Sequence, residues 1–317
     1  MGLFDKYTEP VFLKEDSEAE KQLVALHELQ QTATGQLVEA IAREIKLVEA
    51  GIFGEKNVEF ELKNSHIPMF VLHDLFLEHD GLTAQIDYLI VTRDKAFVIE
   101  CKNLIGNIEI NSNGDFIRTL NYGSGNKKEG MYSPITQNRR HLDLIKQIRL
   151  EAKDNWLSKT IFEKNFYNNY RSIVVLANPK TVVNMRYAKK EVRDQVIRAD
   201  QLVSFIRKAN DGKDGLMSEK NTKEIAEFFL SLHRPQHTDY AAKYREAMEQ
   251  ESVSKSEERP AEQSKATPVS VASILCPKCG APMVKRTATK GKSAGKEFYG
   301  CSNFPKCRGI VNIDQAD

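Results

Sequence analysis

Cysteine is almost missing from most of this 317-residue chain: of five, four fall after residue 275, leaving Cys101 alone upstream. That excludes a scattered disulfide framework, and the clustering suits thiols that bind metal in a reducing compartment. Long apolar runs are lacking too; stretches such as residues 173–177 are far too short to cross a bilayer. The start lacks a basic segment followed by an apolar one, so no secretory leader is expected and the reading is cytoplasmic. Charge is nearly balanced, at 46 Lys and Arg against 44 Asp and Glu. Any pull on nucleic acid must therefore come from local patches.

What is present is enough for one medium domain and something smaller. Residues 17–50 read as helix, with Ile41, Ile45 and Val48 in one apolar stripe. Gly51 and Gly54 are expected to end it, and a short helix over 55–63 to follow. The period then changes to that of strands over 69–77, 84–91 and 96–103, with short ones at 107–110 and 116–120. Helix from Pro134 to about 153, strand at 172–177, and helices at 200–208 and 218–232 complete an α/β pattern around one mixed sheet. Residues 235–272 are rich in Glu, Lys, Ser and Gln, and read as a flexible linker with a possible helix at 240–251. The expected organisation is a helical segment at 1–50, an α/β domain at 51–234, the linker, and a cysteine module at 273–317.

Two acids fall on neighbouring strands. If Arg93 and Asp94 form a two-residue turn, paired positions sum to 187, and Asp87 lies opposite Glu100. Their Cβ atoms would then be roughly 4.5–5.5 Å apart, which destabilises a sheet unless something bridges them. A divalent cation would do so, since Mg²⁺ commonly takes one or two carboxylates and fills its shell with water and phosphate oxygens. Lys102 shares the face of Glu100 and could meet developing negative charge. A solvated sheet face is the plain alternative. The flanking residues, Ile86-Asp87-Tyr88-Leu89-Ile90-Val91 and Phe97-Val98-Ile99-Glu100-Cys101-Lys102, are largely apolar on both faces, and a buried acid needs a partner or a metal.

Gly54-Glu55, Val58, Leu62, Gln85-Ile86-Asp87, Glu100-Cys101-Lys102-Asn103, Gly106 and Pro134-Ile135-Thr136-Gln137 together resemble the nuclease-related domain, over roughly residues 50–180. That family is similar to the PD-(D/E)xK nucleases, which implies a restriction-endonuclease-like mixed sheet flanked by helices. The resemblance implies Asp87 and Glu100 as ligands of Mg²⁺ or Mn²⁺, Lys102 as the catalytic lysine, and Glu55 as the helix carboxylate reaching the same ion. It makes Gln137 a site residue; otherwise Gln137 is a buried amide sharing a helical face with His141, which reads as packing. The superfamily's proline before the first acid is absent, Ile86 standing there, as is usual for the nuclease-related branch.

Cys276-x₂-Cys279 and Cys301-x₅-Cys307 suit a tetrahedral Zn²⁺ with four thiolates, a structural site with no open position. Cys276-Pro277-Lys278-Cys279-Gly280 and Phe298-Tyr299-Gly300-Cys301 through Cys307 resemble the four-cysteine zinc finger at the C-terminus of bacterial type I topoisomerases. Residues 273–317 hold eight Lys or Arg against three Asp or Glu, with Phe298, Tyr299 and Phe304 among them and Lys306 close by. Rings beside cations suit stacking on single-stranded bases; the same rings could instead form the module's small core. Arg139 and Arg140 could line a duplex, and Lys146, Arg149 and Lys153 extend that basic stretch. The expectation is a metal-dependent DNA nuclease that uses a zinc ribbon to hold single-stranded or branched DNA. The alternative is a DNA-binding relative that no longer cuts, and RNA is not distinguished from DNA.

Overall fold

The computed structural model describes residues 7–122, 125–212, 216–235, 239–257, 275–287 and 296–312. The chain divides into two compact units, residues 1–256 and 257–317.

The first unit begins with β1 (Pro10–Lys14), α1 (Glu18–Thr32) and α2 (Gln36–Lys63). Three long strands follow: β2 (Met69–His79), β3 (Leu82–Thr92) and β4 (Ala96–Lys102). Next come β5 (Asn107–Ile110), β6 (Phe116–Tyr122), β7 (Gly125–Met131), α3 (Pro134–Glu151), α4 (Trp156–Asn169) and β8 (Tyr170–Leu176). The remainder is β9 (Val183–Asn184), α5 (Lys190–Arg193), β10 (Val196–Arg198), α6 (Leu202–Ala209), α7 (Glu219–Ser231) and α8 (Ala242–Glu257). The second unit holds β11 (Met283–Thr287), β12 (Glu297–Cys301) and β13 (Ile310–Asn312).

The main sheet runs β1-β2-β3-β4-β8-β10. Strands β2, β3 and β4 are antiparallel, whereas β1 joins β2, β8 joins β4 and β10 joins β8 in parallel. Both faces are covered, which is why these strands read as nearly continuous apolar runs. Leu89, Val91 and Val98 pack with Leu142, Ile145 and Phe229 on one face. Tyr88, Ile90, Phe97 and Ile99 pack with Val58, Leu62, Leu202 and Ile206 on the other. A smaller sheet, β7-β6-β5-β9, grows from the end of β4.

Several elements differ from the sequence-based expectation. Helix α2 runs unbroken through Gly51 and Gly54. Gly54 is there for contact rather than to stop the helix, since a Cβ on it would lie 2.6 Å from Cβ of Asn103. The helix is pinned to the sheet ends by Asn103 Nδ2 to the Ala50 carbonyl, at 2.5 Å, and Asn57 Nδ2 to the Ala177 carbonyl, at 3.1 Å. The break falls instead between α1 and α2, so residues 17–50 are not one helix. Strand β1 and helix α4 were not anticipated. Part of the expected linker is ordered: Ala241 and Tyr244, at the start of α8, are buried against Leu26, Ile41 and Ile45. Residues 258–272 lie outside the described residues. Among the described residues no helix is long and apolar enough to cross a membrane.

Candidate nuclease site and zinc centre

The β3–β4 hairpin has the anticipated register, with Tyr88 opposite Ile99 and Val91 opposite Ala96. The turn is closed by the Thr92 amide donating to the Lys95 carbonyl at 2.9 Å and by Thr92 Oγ1 donating to the same oxygen at 2.8 Å. The ladder ends at Tyr88–Ile99, one step short of Asp87 and Glu100. Beyond that point the half-buried Asp87 turns its carboxylate onto the neighbouring strand, where Oδ2 accepts the Cys101 N–H at 2.6 Å. A backbone donor without a ladder partner thus receives an acid, which also fixes that acid's position.

Glu100 is almost wholly buried, at 1 % exposure. Its Oε1 lies 2.6 Å from Lys102 Nζ, while Oε2 has no hydrogen-bond partner. Burial pushes the Glu100 carboxyl up from its ordinary pKa, and Lys102 offsets part of that. Asp87 is pushed well up, by burial first and then by the charges of Glu100 and Glu55. Lys102 loses some basicity to burial, yet Glu100 and Asp87 more than compensate and its pKa is raised.

Glu55 stands on α2, across the sheet end, with Oε2 2.9 Å from His73 Nε2; His73 Nδ1 lies 2.9 Å from the Glu15 carbonyl. Tyr88 donates its hydroxyl to the Glu55 carbonyl at 2.9 Å and stacks on His73, so both helix and imidazole are held in place. Glu15, Ser17, Glu20, Glu55, Glu59 and His73 help to line a hollow of about 240 Å³ there. A larger one, of about 290 Å³, lies beside the β3–β4 turn near Asp94 and Lys95, away from the acids.

Gln137 is half-buried near the start of α3. The fully buried amide at this height is Asn138 instead, donating to the Val98 carbonyl at 2.8 Å and the Ile173 carbonyl at 3.0 Å. His141, one turn on, does more than fill space: its Nδ1 is 3.7 Å from Glu100 Oε2. Burial, followed by the charge of Lys102, lowers the His141 pKa to about 4, so the ring is neutral at physiological pH. Sequence reasoning missed Asn138 and His73 and read His141 as packing. An i, i+3 pair of polar residues at 138 and 141 within an apolar stripe is a signal for Asn138 and His141, and none marks His73.

Asp87, Glu100 and Lys102 are therefore brought to one end of one hairpin, with Glu55 facing them from α2. They do not form a tight ligand shell as they stand. Among the described residues, only the four C-terminal cysteines and the His79–Asp80–Glu151 group bring three or more ligand atoms within 4.8 Å of one another. Arg139 and Arg140 are exposed, the latter with its guanidinium 5.7 Å from the Tyr132 ring. Lys146, Arg149 and Lys153, which could have extended a duplex-lining stretch or formed a solvated helix face, are engaged with neighbours. Lys146 pairs with Glu163 at 2.8 Å, Arg149 lies over Phe228, and Lys153 over Phe162.

In the second unit the four sulfurs converge. Cys276 and Cys307 Sγ are 3.8 Å apart, Cys279 and Cys301 Sγ 3.4 Å. A tetrahedral zinc with Zn–S of about 2.3 Å demands edges of about 3.8 Å. Two tight turns supply the geometry, the Gly280 amide donating to the Cys276 carbonyl at 2.8 Å and the Cys307 amide to the Asn303 carbonyl at 3.0 Å. Backbone N–H groups of Lys278 and Cys279 help to lower the Cys276 thiol to about 7, which favours the thiolate a metal needs. Gly309 passes so close to the Cys276 sulfur that a side chain there would collide with it.

Residues 50–177 match the family model of the nuclease-related domain, and residues 273–316 that of the topoisomerase DNA binding C4 zinc finger. The chain carries both modules. No curated protein and no solved structure matches it. The zinc ribbon is a three-stranded antiparallel sheet in the order β11-β12-β13. Phe298 and Tyr299 are half-buried on its central strand, while Phe304 is 56 % exposed with the Arg286 guanidinium 5.9 Å from its ring. Lys306 is exposed nearby. The rings thus divide between a small core and an open face. Lys290 and Lys292 lie outside the described residues.

Proposed function

We propose that this chain is a metal-dependent deoxyribonuclease in which Asp87 and Glu100 hold Mg²⁺ or Mn²⁺, with Glu55 contributing from α2. The observation that carries this reading is Glu100: an almost fully buried carboxylate with one oxygen on Lys102 and the other free, whose charge disfavours ionisation of the neighbouring Asp87. Two acids and one lysine leave an unbalanced site, and a divalent cation supplies the missing charge. When bound, such an ion acidifies a water and stabilises charge on a phosphoryl group. Asp87 is kept in position by the Cys101 amide. Lys102, now on Glu100, would hold the attacking water or meet the developing charge if Glu100 turned to the ion. Gln137, half-buried at the start of α3, would touch substrate.

The ribbon supplies the grip. Phe304, Phe298 and Tyr299 would stack on unpaired bases while Lys306 and Arg286 meet phosphates, a combination that prefers single-stranded or distorted DNA. Arg139 and Arg140, at the exposed face of α3, would meet the backbone near the hairpin. The four reduced thiols suit a cytoplasmic setting.

A second reading has its own support. The carboxylates of Glu55, Asp87 and Glu100 are not drawn within ligand distance of a common point, as expected of a nuclease-like DNA-binding accessory protein that no longer cuts. One panel separates the two. Purified protein with Mg²⁺ or Mn²⁺ is incubated with duplex, nicked, single-stranded and branched DNA, beside Asp87→Asn. Metal-dependent cleavage lost in the variant establishes the nuclease; binding without cleavage on every substrate establishes the accessory protein.

A further inference from the structure

Two buried polar atoms in the first unit face each other without touching. Glu100 Oε2 and His141 Nδ1 are 3.7 Å apart, and each lacks a hydrogen-bond partner. The side chains are 2 % and 10 % exposed, so bulk water does not satisfy either atom. An unpaired buried polar atom costs about 1–3 kcal/mol, and two of them facing one gap mark a place built for something between them. The gap is too wide for a direct bond. Among their neighbours, Glu100 Oε1 is engaged with Lys102 and the Asn138 side-chain nitrogen, one turn before His141, with two strand carbonyls, while Asn138 Oδ1 has no hydrogen-bond partner. A cation held by both atoms fits, because neutral imidazole nitrogen and carboxylate oxygen are both metal donors at about 2.0–2.2 Å.

We infer that His141 supplies a nitrogen ligand to the divalent ion held by Glu100, and so tilts this site from Mg²⁺ toward Mn²⁺ and other transition metals. Mg²⁺ takes oxygen donors almost exclusively, whereas imidazole is a donor suited to first-row transition metals. This rests on the reading that the acids hold a divalent ion, and adds which ion and through which further residue.

The test is metal binding by the full, zinc-loaded chain, read without any nuclease assay. Mn²⁺ is the probe, and His79→Gln is carried throughout because His79 Nε2, 3.1 Å from Glu151, offers a rival nitrogen. Electron spin-echo spectra of the bound Mn²⁺ should carry a histidine ¹⁴N coupling that His141→Leu removes. His141→Leu should also weaken Mn²⁺ binding by about tenfold or more, while Mg²⁺ binding, measured by competition, changes less than about threefold. If His141→Leu does not fold, His141→Gln, which keeps a polar head in the pocket, is measured in the same way. Bound Mn²⁺ without nitrogen coupling overturns the inference, as does an equal fall in Mn²⁺ and Mg²⁺ affinity. If the folded protein binds neither ion, the metal-dependent nuclease falls along with it. If the nitrogen signature appears and DNA is never cut, only the nuclease reading falls.

Discussion

Lys102 Nζ sits 2.6 Å from Glu100 Oε1 at the last residue of β4, and this pair sets how the hairpin tolerates its acids. Burial disfavours the charge on Glu100, and the lysine returns part of what is lost. Among the described residues Asp87 has no such cation bonded to it; its carboxylate accepts the Cys101 amide. The lysine and the acid that lacks a bonded cation should therefore respond oppositely to neutralisation. Lys102→Met strands a buried carboxylate and should destabilise the metal-free protein by about 1–3 kcal/mol. Asp87→Asn removes the repulsion with Glu100, keeps an oxygen for the Cys101 amide, and should stabilise it by about 1 kcal/mol. Both variants should lose cleavage by at least about a hundredfold. Urea titrations followed by circular dichroism, beside a cleavage assay, give both readings. Equal destabilisation by both variants would remove the charge imbalance on which the proposed ion site depends.

The same imbalance has a pH signature. The folded pKa values of Asp87 and Glu100 are raised above their ordinary 3.8 and 4.5. Between those ordinary values and the raised ones, the folded state holds protons that the unfolded chain has released, so stability falls as pH rises through that window. Metal-free protein should thus be less stable at neutral pH than at about pH 5 on this account, with a shallower slope in Asp87→Asn. Saturating Mn²⁺ should remove most of the decline. Denaturation midpoints across that range check it, and a midpoint slope identical in wild type and Asp87→Asn would refute it.

Why was this hairpin readable in advance when its surroundings were not? Alternation and a short turn are local, so the pairing of Tyr88 with Ile99 follows from counting residues back from Arg93 and Asp94. That the ladder would stop there, and that Asp87 would reach the Cys101 amide, depends on strands diverging in space. Gly54 read as a helix breaker because its reason for being glycine is Asn103, almost fifty positions away in sequence. Nothing in the sequence around His73 shows its bond to Glu55, and the polar pair at 138 and 141 does not show that His141 meets Glu100. Helix α8 is polar along most of its length; a helix at 240–251 is legible from sequence, but its docking through Ala241 and Tyr244 is not. The ribbon was legible because its four ligands are close in sequence and chemically unmistakable.

At the zinc centre, Gly309 offers a test that leaves all four thiols in place. A methyl at this position would meet the Cys276 sulfur. Gly309→Ala should release zinc to a colorimetric chelator about tenfold faster than wild type, whereas Gly280→Ala, with nothing near its Cβ, acts through its positive φ alone and should have a smaller effect. Equal release rates for wild type and Gly309→Ala would mean that Cys276 is not held against this glycine in the metal-bound ribbon.

The ribbon's exposed face makes the final prediction, because stacking and charge respond differently to salt. Phe304 is open to solvent beside Arg286, and Lys306 follows two residues later. Phe304→Ala should weaken binding to single-stranded DNA by about 1–3 kcal/mol at every salt concentration, since base stacking does not release counterions. Lys306→Ala should weaken it mainly at low salt, lowering the slope of log affinity against log salt by about 0.7 for one lost phosphate contact. Fluorescence anisotropy with a short labelled oligonucleotide, repeated over several salt concentrations, separates the two. Loss of slope in Phe304→Ala would place that ring in the ribbon's own packing rather than against a base. Unchanged binding in both variants would move the DNA contact off this face, toward Arg139 and Arg140 on α3.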